Sequence, residues 1–218
     1  MKIVKGYLVF TSTVYRIVMF GILPLGIIAV DILGALFMGD DVNVLFAVMP
    51  FLLLMAEIVA DTWMFGGIQG KDAAKIDFLK TSPKGMCLLR NALAMDLVRR
   101  FCSLAGIMAA CILVNSALGV DMSGGDPTGK LGKILSLILS AYTISVLCTI
   151  LARFGTMLWH SLLAGYLGLF LESVCVGFLM TLDHPYVWSL IYGVLAVGAS
   201  ILAVKVAMKI VGGGYYDK

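Results

Sequence analysis

Charged residues are scarce in this sequence. They make up 13% of its 218 residues, whereas soluble domains carry about 25%. The mean hydropathy is correspondingly high, at +1.03. This deficit of charge excludes an ordinary soluble domain. Because the apolar runs reach the roughly 20 residues that one helix needs to cross a bilayer, the sequence predicts a membrane protein.

The apolar runs also lack the alternation of apolar and polar residues that characterises the strands of membrane barrels. Backbone groups in lipid must be hydrogen-bonded within the crossing segment, so helices are expected. We therefore predict an all-α, polytopic membrane protein with a six-helix transmembrane domain over residues 17–211. The six predicted spans are residues 17–38, 43–65, 101–120, 134–152, 157–182 and 186–204.

Residues that build metal centres and catalytic sites are few and scattered. The five cysteines have no paired spacing, and the two histidines have no third ligand at helical spacing, which argues against disulfide frameworks and zinc sites. No Gly-x-Ser-x-Gly turn is present. The stretch GGDPTGK at residues 124–130 approaches the phosphate-loop pattern, but Leu131 replaces the required Ser or Thr. We expect a chain that is not an enzyme and binds no cofactor or metal itself.

The basic residues are distributed unevenly among the predicted loops. When both termini are placed in the cytoplasm, only Lys130 and Lys133 of the 16 basic residues fall outside, which leaves 14 inside. This asymmetry follows the positive-inside rule. We expect a multi-pass protein of the plasma (inner) membrane with both termini cytoplasmic. No combined basic and aromatic surface indicates nucleic-acid binding.

Residues 1–16 are predicted to form an interfacial amphipathic helix in contact with the lipid bilayer. Arg16 interrupts the apolar run and no small-x-small cleavage site is evident, so a signal peptide is not favoured. The residues able to share an apolar side are Ile3, Val4, Tyr7, Leu8, Val14 and Tyr15. Lys2, Lys5 and Arg16 would lie near anionic headgroups. At the other end, residues 212–218 are expected to form a cytoplasmic tail.

The longest polar stretch, GGIQGKDAAKIDFLKTSPKG, covers residues 66–85 within a predicted cytoplasmic loop and span entry, residues 66–100. Ala73, Ile76 and Leu79 recur at spacings of three, which favours a short helix with one apolar side. Ser82 is the predicted N-cap of the next helix and Pro83 its first residue. That helix carries an apolar side made of Met86, Leu89, Leu93 and Leu97. Asp96 is spaced to pair with Arg99 or Arg100.

The sequence FLKTSPKG at 78–85, followed by LLRNAL at 88–93, resembles the loop between the second and third spans of type-2 ABC exporter permeases. The chain also resembles that family in its predicted N-terminal helix, cytoplasmic termini and six spans. The resemblance implies a permease subunit, driven by separate cytoplasmic ABC ATPase subunits that bind ATP and Mg. It further implies a homodimer or a related second permease subunit, and a peptide, drug-like or lipid-like substrate.

The same resemblance implies that the ATPase binds residues 71–90, which would act as a coupling segment. The implied coupling residues are Ile76, Phe78, Leu79, Lys80, Ser82, Pro83, Lys84, Leu89 and Arg90. On local physics alone, this segment equally fits a positively charged connector that is ordered by lipid headgroups.

Four carboxyl side chains fall within or at the edge of predicted spans: Asp31, Glu57, Asp61 and Glu172. Because a charge at mid-bilayer costs about 2.5–3.5 kcal/mol on insertion scales, such groups are expected to face the bundle interior or water. They either line a substrate pathway, binding cationic cargo or protons, or form hydrogen bonds between helices. An ion-coupled secondary carrier and a non-transporting scaffold subunit therefore stay open as alternatives.

Overall fold

The computed structural model describes the backbone of residues 7–38, 49–60, 81–119, 127–154, 158–180 and 184–213, apart from the single residues 9, 51 and 83. Helices account for 95% of these residues, and no strand occurs among them. The predicted all-α class is therefore confirmed.

From Thr13 onward, a short helix passes through a π-helical segment into a longer one. Helix α1 is Thr13–Ile17, the π-helical segment is Val18–Ile22, and α2 is Leu23–Met38. Residues 49–50 and 52–60 are helical and are called α3. The remaining helices are α4, Gly85–Ala117; α5, Pro127–Phe154; α6, Leu158–Met180; and α7, Pro185–Gly213.

Four helical stretches in the described part of the chain are long and apolar enough to cross a membrane. They are Thr13–Phe37, Gly85–Ala117, Leu131–Ala152 and Pro185–Val211. These correspond to the first, third, fourth and sixth predicted spans. Helix α6 contributes a shorter apolar stretch, Leu163–Cys175, and much of the predicted second span, 43–65, lies outside the described residues. The architecture is compatible with a membrane protein, and the number six stays a prediction.

Helix α5 is the centre of the bundle. Of its apolar stretch, 72% is buried, against 22–33% in the other three long helices. The side of α7 that packs on it is made of small residues at helical spacing, Ala196, Ala199 and Ala203, which lets two backbones approach closely. The Tyr142 hydroxyl lies 2.9 Å from Ser200 Oγ across this contact.

Helix α6 packs against both α3 and α5 through a glycine. A Cβ added at Gly168 would lie 2.8 Å from Cys148 Sγ and 2.9 Å from Leu54 Cδ2. Both distances are shorter than the contacts that a Cβ normally makes, so a side chain at this position would require Cys148, Leu54 or the helices themselves to shift. The three helices therefore meet at Gly168.

Helix α4 differs from the prediction at its start and in its length. It begins at Gly85 with Lys84 as the N-cap residue, rather than at Pro83 with Ser82 as the cap. The reason is a turn in which the Gly85 N–H donates to the Ser82 carbonyl at 3.0 Å. The predicted amphipathic helix and third span form one continuous helix of 33 residues. Its predicted apolar side is confirmed: Leu89 and Leu93 are buried, and Met86 and Leu97 half-buried.

The N-terminal segment folds back on itself. Thr11 and Ser12 are not helical, and Ser12 Oγ accepts a hydrogen bond from the Tyr15 N–H at 3.1 Å as the cap of α1. Arg16 Nη2 donates to the carbonyls of Leu8 at 2.6 Å and Thr11 at 2.9 Å. The Arg16 guanidinium thus binds carbonyl groups that end the preceding helical turn.

We expect Gly168→Ala to lower the stability of the protein by about 1–3 kcal/mol, because the added methyl group overpacks a three-helix contact. The matched control is Gly198→Ala on α7, where a Cβ meets no atom within 4 Å and alanine favours the helix by up to about 1 kcal/mol. Thermal unfolding in detergent compares the two variants. Equal midpoints would contradict the close contact at Gly168.

Candidate functional site

Two carboxylates and two guanidinium groups meet inside the bundle. Glu57 comes from α3, and Asp96, Arg99 and Arg100 come from α4. None of the four residues is more than 6% exposed. Their formal charges sum to zero, so the group is buried without net charge. We call these four residues the ionic network.

Arg99 binds both carboxylates. Its Nη1 donates to Glu57 Oε1 at 2.8 Å, and its Nη2 donates to Glu57 Oε2. Its Nε donates to Asp96 Oδ1 at 3.1 Å. The bidentate contact fixes both distance and orientation, so Arg99 joins α3 to α4 in one geometry.

Arg100 extends the network to α5. Its Nε donates to Asp96 Oδ2 at 2.8 Å and lies 3.5 Å from Glu57 Oε2. Its Nη1 donates to Thr149 Oγ1 at 2.6 Å, and that hydroxyl donates to the Ser145 carbonyl at 2.8 Å. Arg100 thus attaches α4 to the most buried helix of the bundle.

Two tyrosines of the N-terminal segment lie beside the network. The Tyr7 hydroxyl donates to Asp96 Oδ1 at 3.4 Å and lies 3.2 Å from the Tyr15 hydroxyl. The Arg99 Cζ lies 5.9 Å from the centre of the Tyr15 ring, within range of a cation–π interaction. Burial, with the Asp96 charge, raises the pKa of Tyr7 to about 12, so its hydroxyl keeps its proton at neutral pH.

Helical spacing explains the α4 half of the network. Residues three and four apart share one helix face, so Asp96 contacts both Arg99 and Arg100, and the predicted pairing is confirmed. The prediction placed these residues on an exposed helix, where a pair contributes a few tenths of a kcal/mol. Their burial changes the energetics, because removing one partner of a buried pair costs about 3–5 kcal/mol. The contacts to Glu57, Thr149 and Tyr7 join residues that are distant in the sequence, so no local sequence pattern predicts them.

A small cavity adjoins the network between α3, α4 and α5. Its volume is about 20 Å³, and roughly 10–15 Å³ is enough for one water molecule. The lining residues are Pro50, Leu53, Leu54, Glu57, Arg100, Leu104, Ala141, Tyr142 and Ser145. Ser145 Oγ has no hydrogen-bond partner within the described part of the chain. The cavity fits a single water molecule and is too small for an organic cargo.

The predicted pathway carboxyls have different surroundings. Glu57 belongs to the ionic network. Asp31 is 0% exposed and accepts a hydrogen bond from Asn115 Nδ2 at 3.0 Å. Glu172 is also 0% exposed, and neither of its oxygens has a partner among the residues described. Asp61 lies outside the described residues.

The predicted coupling residues are described only in part. Ile76, Phe78, Leu79, Lys80 and Pro83 lie outside the described residues. Lys84 and Arg90 are exposed, and Ser82 is half-buried. Leu89 is 1% exposed and belongs to an apolar cluster with Tyr7 and Tyr15. In this structure, therefore, Leu89 packs within the chain, while Lys84 and Arg90 reach the surface.

Comparison with protein-family models, with curated proteins and with solved structures finds no match for this chain. The resemblance to ABC exporter permeases therefore rests on the sequence motif and the predicted topology alone. Within the described ranges, no group of three or more His, Cys, Asp or Glu side chains is placed to hold a metal ion.

We expect Glu57→Met and Arg99→Met each to lower stability by about 3–5 kcal/mol, because each leaves an unbalanced buried charge. The double variant keeps Asp96 paired with Arg100 and should be less destabilised than the sum of the single variants. Unfolding midpoints of the four proteins form a double-mutant cycle. Arg90→Met, at an exposed position on the same helix, is the control and should change stability by less than about 0.5 kcal/mol. Additive effects of the two network variants would rule out a direct ion pair.

Proposed function

We propose that this chain is the membrane permease subunit of an ATP-driven exporter. It couples separate cytoplasmic ABC ATPase subunits, which bind ATP and Mg, to the movement of a peptide, drug-like or lipid-like substrate. It crosses the plasma (inner) membrane six times with both termini in the cytoplasm. The working assembly contains a second copy or a related permease subunit.

The observation that carries this proposal is that the end of the coupling segment and the ionic network share one helix. Residues 85–90 of the coupling segment belong to α4, which is continuous from Gly85 to Ala117. Asp96 lies 11 residues after Gly85, roughly 16 Å along the helix axis. A partner that displaces the start of α4 therefore displaces Asp96, Arg99 and Arg100 with it.

The geometry of the network supports a switch between two arrangements. Glu57 Oε2 is bound by Arg99 and lies 3.5 Å from Arg100 Nε. A small shift or rotation of α4 would transfer Glu57 from one arginine to the other, and the network would stay neutral throughout. Packed interfaces tend to have discrete alternatives of this kind. On this proposal, the exchange converts ATPase movement into a rearrangement of α3 and α4 against α5.

An ion-coupled secondary carrier is the second candidate. It is supported by Glu172, a fully buried carboxyl whose two oxygens lack hydrogen-bond partners within the described residues. Ionisable groups inside membranes often belong to proton relays. A carrier would use this group in place of an ATPase.

We expect Arg90→Glu, and the pair Ile76→Asp with Leu79→Asp, to weaken co-purification with the proposed ABC ATPase partner, co-expressed with this chain, at least tenfold. They should also remove the stimulation of its ATPase activity. Both changes disrupt the proposed coupling surface without entering the ionic network. Lys209→Glu is the matched control, since it reverses an exposed charge on α7 that the proposal also places in the cytoplasm. An unchanged complex and unchanged ATPase activity in the variants would reject the exporter assignment.

We expect Glu172→Gln to leave ATP-dependent transport in vesicles within about twofold of the wild type, because an exporter draws its energy from the ATPase. The measurement is cargo uptake into inverted vesicles with ATP alone and with a proton gradient alone. If the gradient alone drives uptake and Glu172→Gln abolishes it, the carrier is the correct function.

A further inference from the structure

Two buried acceptor oxygens lack donors where α2 contacts α4. Asn115 Nδ2 donates to Asp31 Oδ2 at 3.0 Å. Asp31 Oδ1 and Asn115 Oδ1 have no hydrogen-bond partner among the described residues, and both side chains are 0% exposed. A carboxylate and an amide oxygen are acceptors only, so they cannot satisfy one another. The Cys111 thiol, a weak donor, also interacts with the Asp31 carboxyl. Buried polar atoms in native proteins are normally paired, so Asn115 Oδ1 still needs a donor.

No cation in the described part of the chain balances a charge on Asp31. The described groups that interact with its carboxyl are Asn115 and the Cys111 thiol, both on α4. The guanidinium groups of the ionic network lie far along that helix, since Arg100 precedes Asn115 by 15 residues, roughly 22 Å. Glu57 and Asp96, in contrast, each contact two arginines. An isolated buried carboxylate is strongly disfavoured and takes up a proton instead.

We propose that Asp31 is a carboxylic acid in the folded protein and that Asp31 and Asn115 form an acid–amide pair that binds one proton. The proton on Oδ1 makes that oxygen a donor to Asn115 Oδ1, while the existing bond from Nδ2 to Oδ2 is kept. One proton thus supplies the missing donor and removes the charge. The pair then joins α2 to α4 through two hydrogen bonds.

This site has a consequence for the predicted pathway. A neutral Asp31 engaged with Asn115 offers no negative charge to a cationic cargo. Loss of its proton would leave a carboxylate facing an amide oxygen, which weakens the contact between α2 and α4. The inference rests on the two side chains alone and holds whether or not the chain is an exporter subunit.

Infrared spectroscopy of the full chain in lipid vesicles at neutral pH tests the protonation directly. We expect Asp31→Asn to remove intensity from the carbonyl stretch of a neutral carboxylic acid and to leave the carboxylate bands unchanged. Asp40→Asn, in a predicted outer loop, is the control of identical chemistry and should remove carboxylate intensity instead. Loss of carboxylate intensity in Asp31→Asn would overturn the proposal.

Two further measurements keep the test decisive if folding is affected. In Asp31→Asn the new amide retains two hydrogen bonds to Asn115 and adds no charge, so this variant should unfold within a few degrees of the wild type. A variant that fails to fold counts against the proposal. Asn115→Leu should shift the acid carbonyl band to higher wavenumber, because the hydrogen bonds to Asp31 are lost. An unshifted band would show that the proton is not shared with Asn115.

Discussion

A charge buried among apolar helices must meet an opposite charge, a set of donors or a proton, and this constraint organises the polar interior of the protein. Where a buried carboxyl meets its partner on another helix, that contact fixes which two helices are neighbours. Glu57 and Asp96 find Arg99 and Arg100, and that requirement holds α3 against α4. This constraint is strong because removing one partner of a buried ion pair leaves an unpaired charge, which costs several kcal/mol of stability.

The central position of α5 follows from the same requirement. Its polar groups are mostly hydroxyls, and several donate to carbonyls within the helix itself, as Thr143 does to Leu139 at 2.7 Å and Thr149 to Ser145 at 2.8 Å. Hydroxyls bonded in this way can be buried without a charged partner, although Ser145 Oγ on the same helix has no hydrogen-bond partner within the described residues. Thr149 still accepts from Arg100, which connects α5 to the network. Residues 134–152 of α5 carry no charged side chain, and Arg100 of α4 contacts the helix within this stretch, at Thr149.

How much of this arrangement can be predicted from the sequence depends on how far apart the interacting residues lie along the chain. The all-α class follows from composition, and four of the six predicted spans correspond to long apolar helices. The spacing that lets Asp96 pair with Arg99 or Arg100 follows from helical geometry. The sequence predicts the start of α4 at Ser82-Pro83, because Ser-Pro is a frequent helix start. That prediction is wrong, because the chain first makes a turn from Ser82 to Gly85. The network itself could not be foreseen, because Glu57 and Arg99 are 42 residues apart and no alternation or spacing rule connects two helices that pack only in three dimensions.

The same limit explains why four carboxyls of the predicted spans that look equivalent in sequence need not share one role. Each is an acidic residue in or beside an apolar run, and only the neighbouring helix determines its state. Glu57 meets two guanidinium groups, whereas Asp31 meets an amide and a thiol, neither of which balances a negative charge. A single pathway lined by both would have to bind cargo at sites of different charge. Their surroundings favour two separate roles over one shared pathway. Glu57 belongs to the contact between α3 and α4, and Asp31 belongs to the contact between α2 and α4.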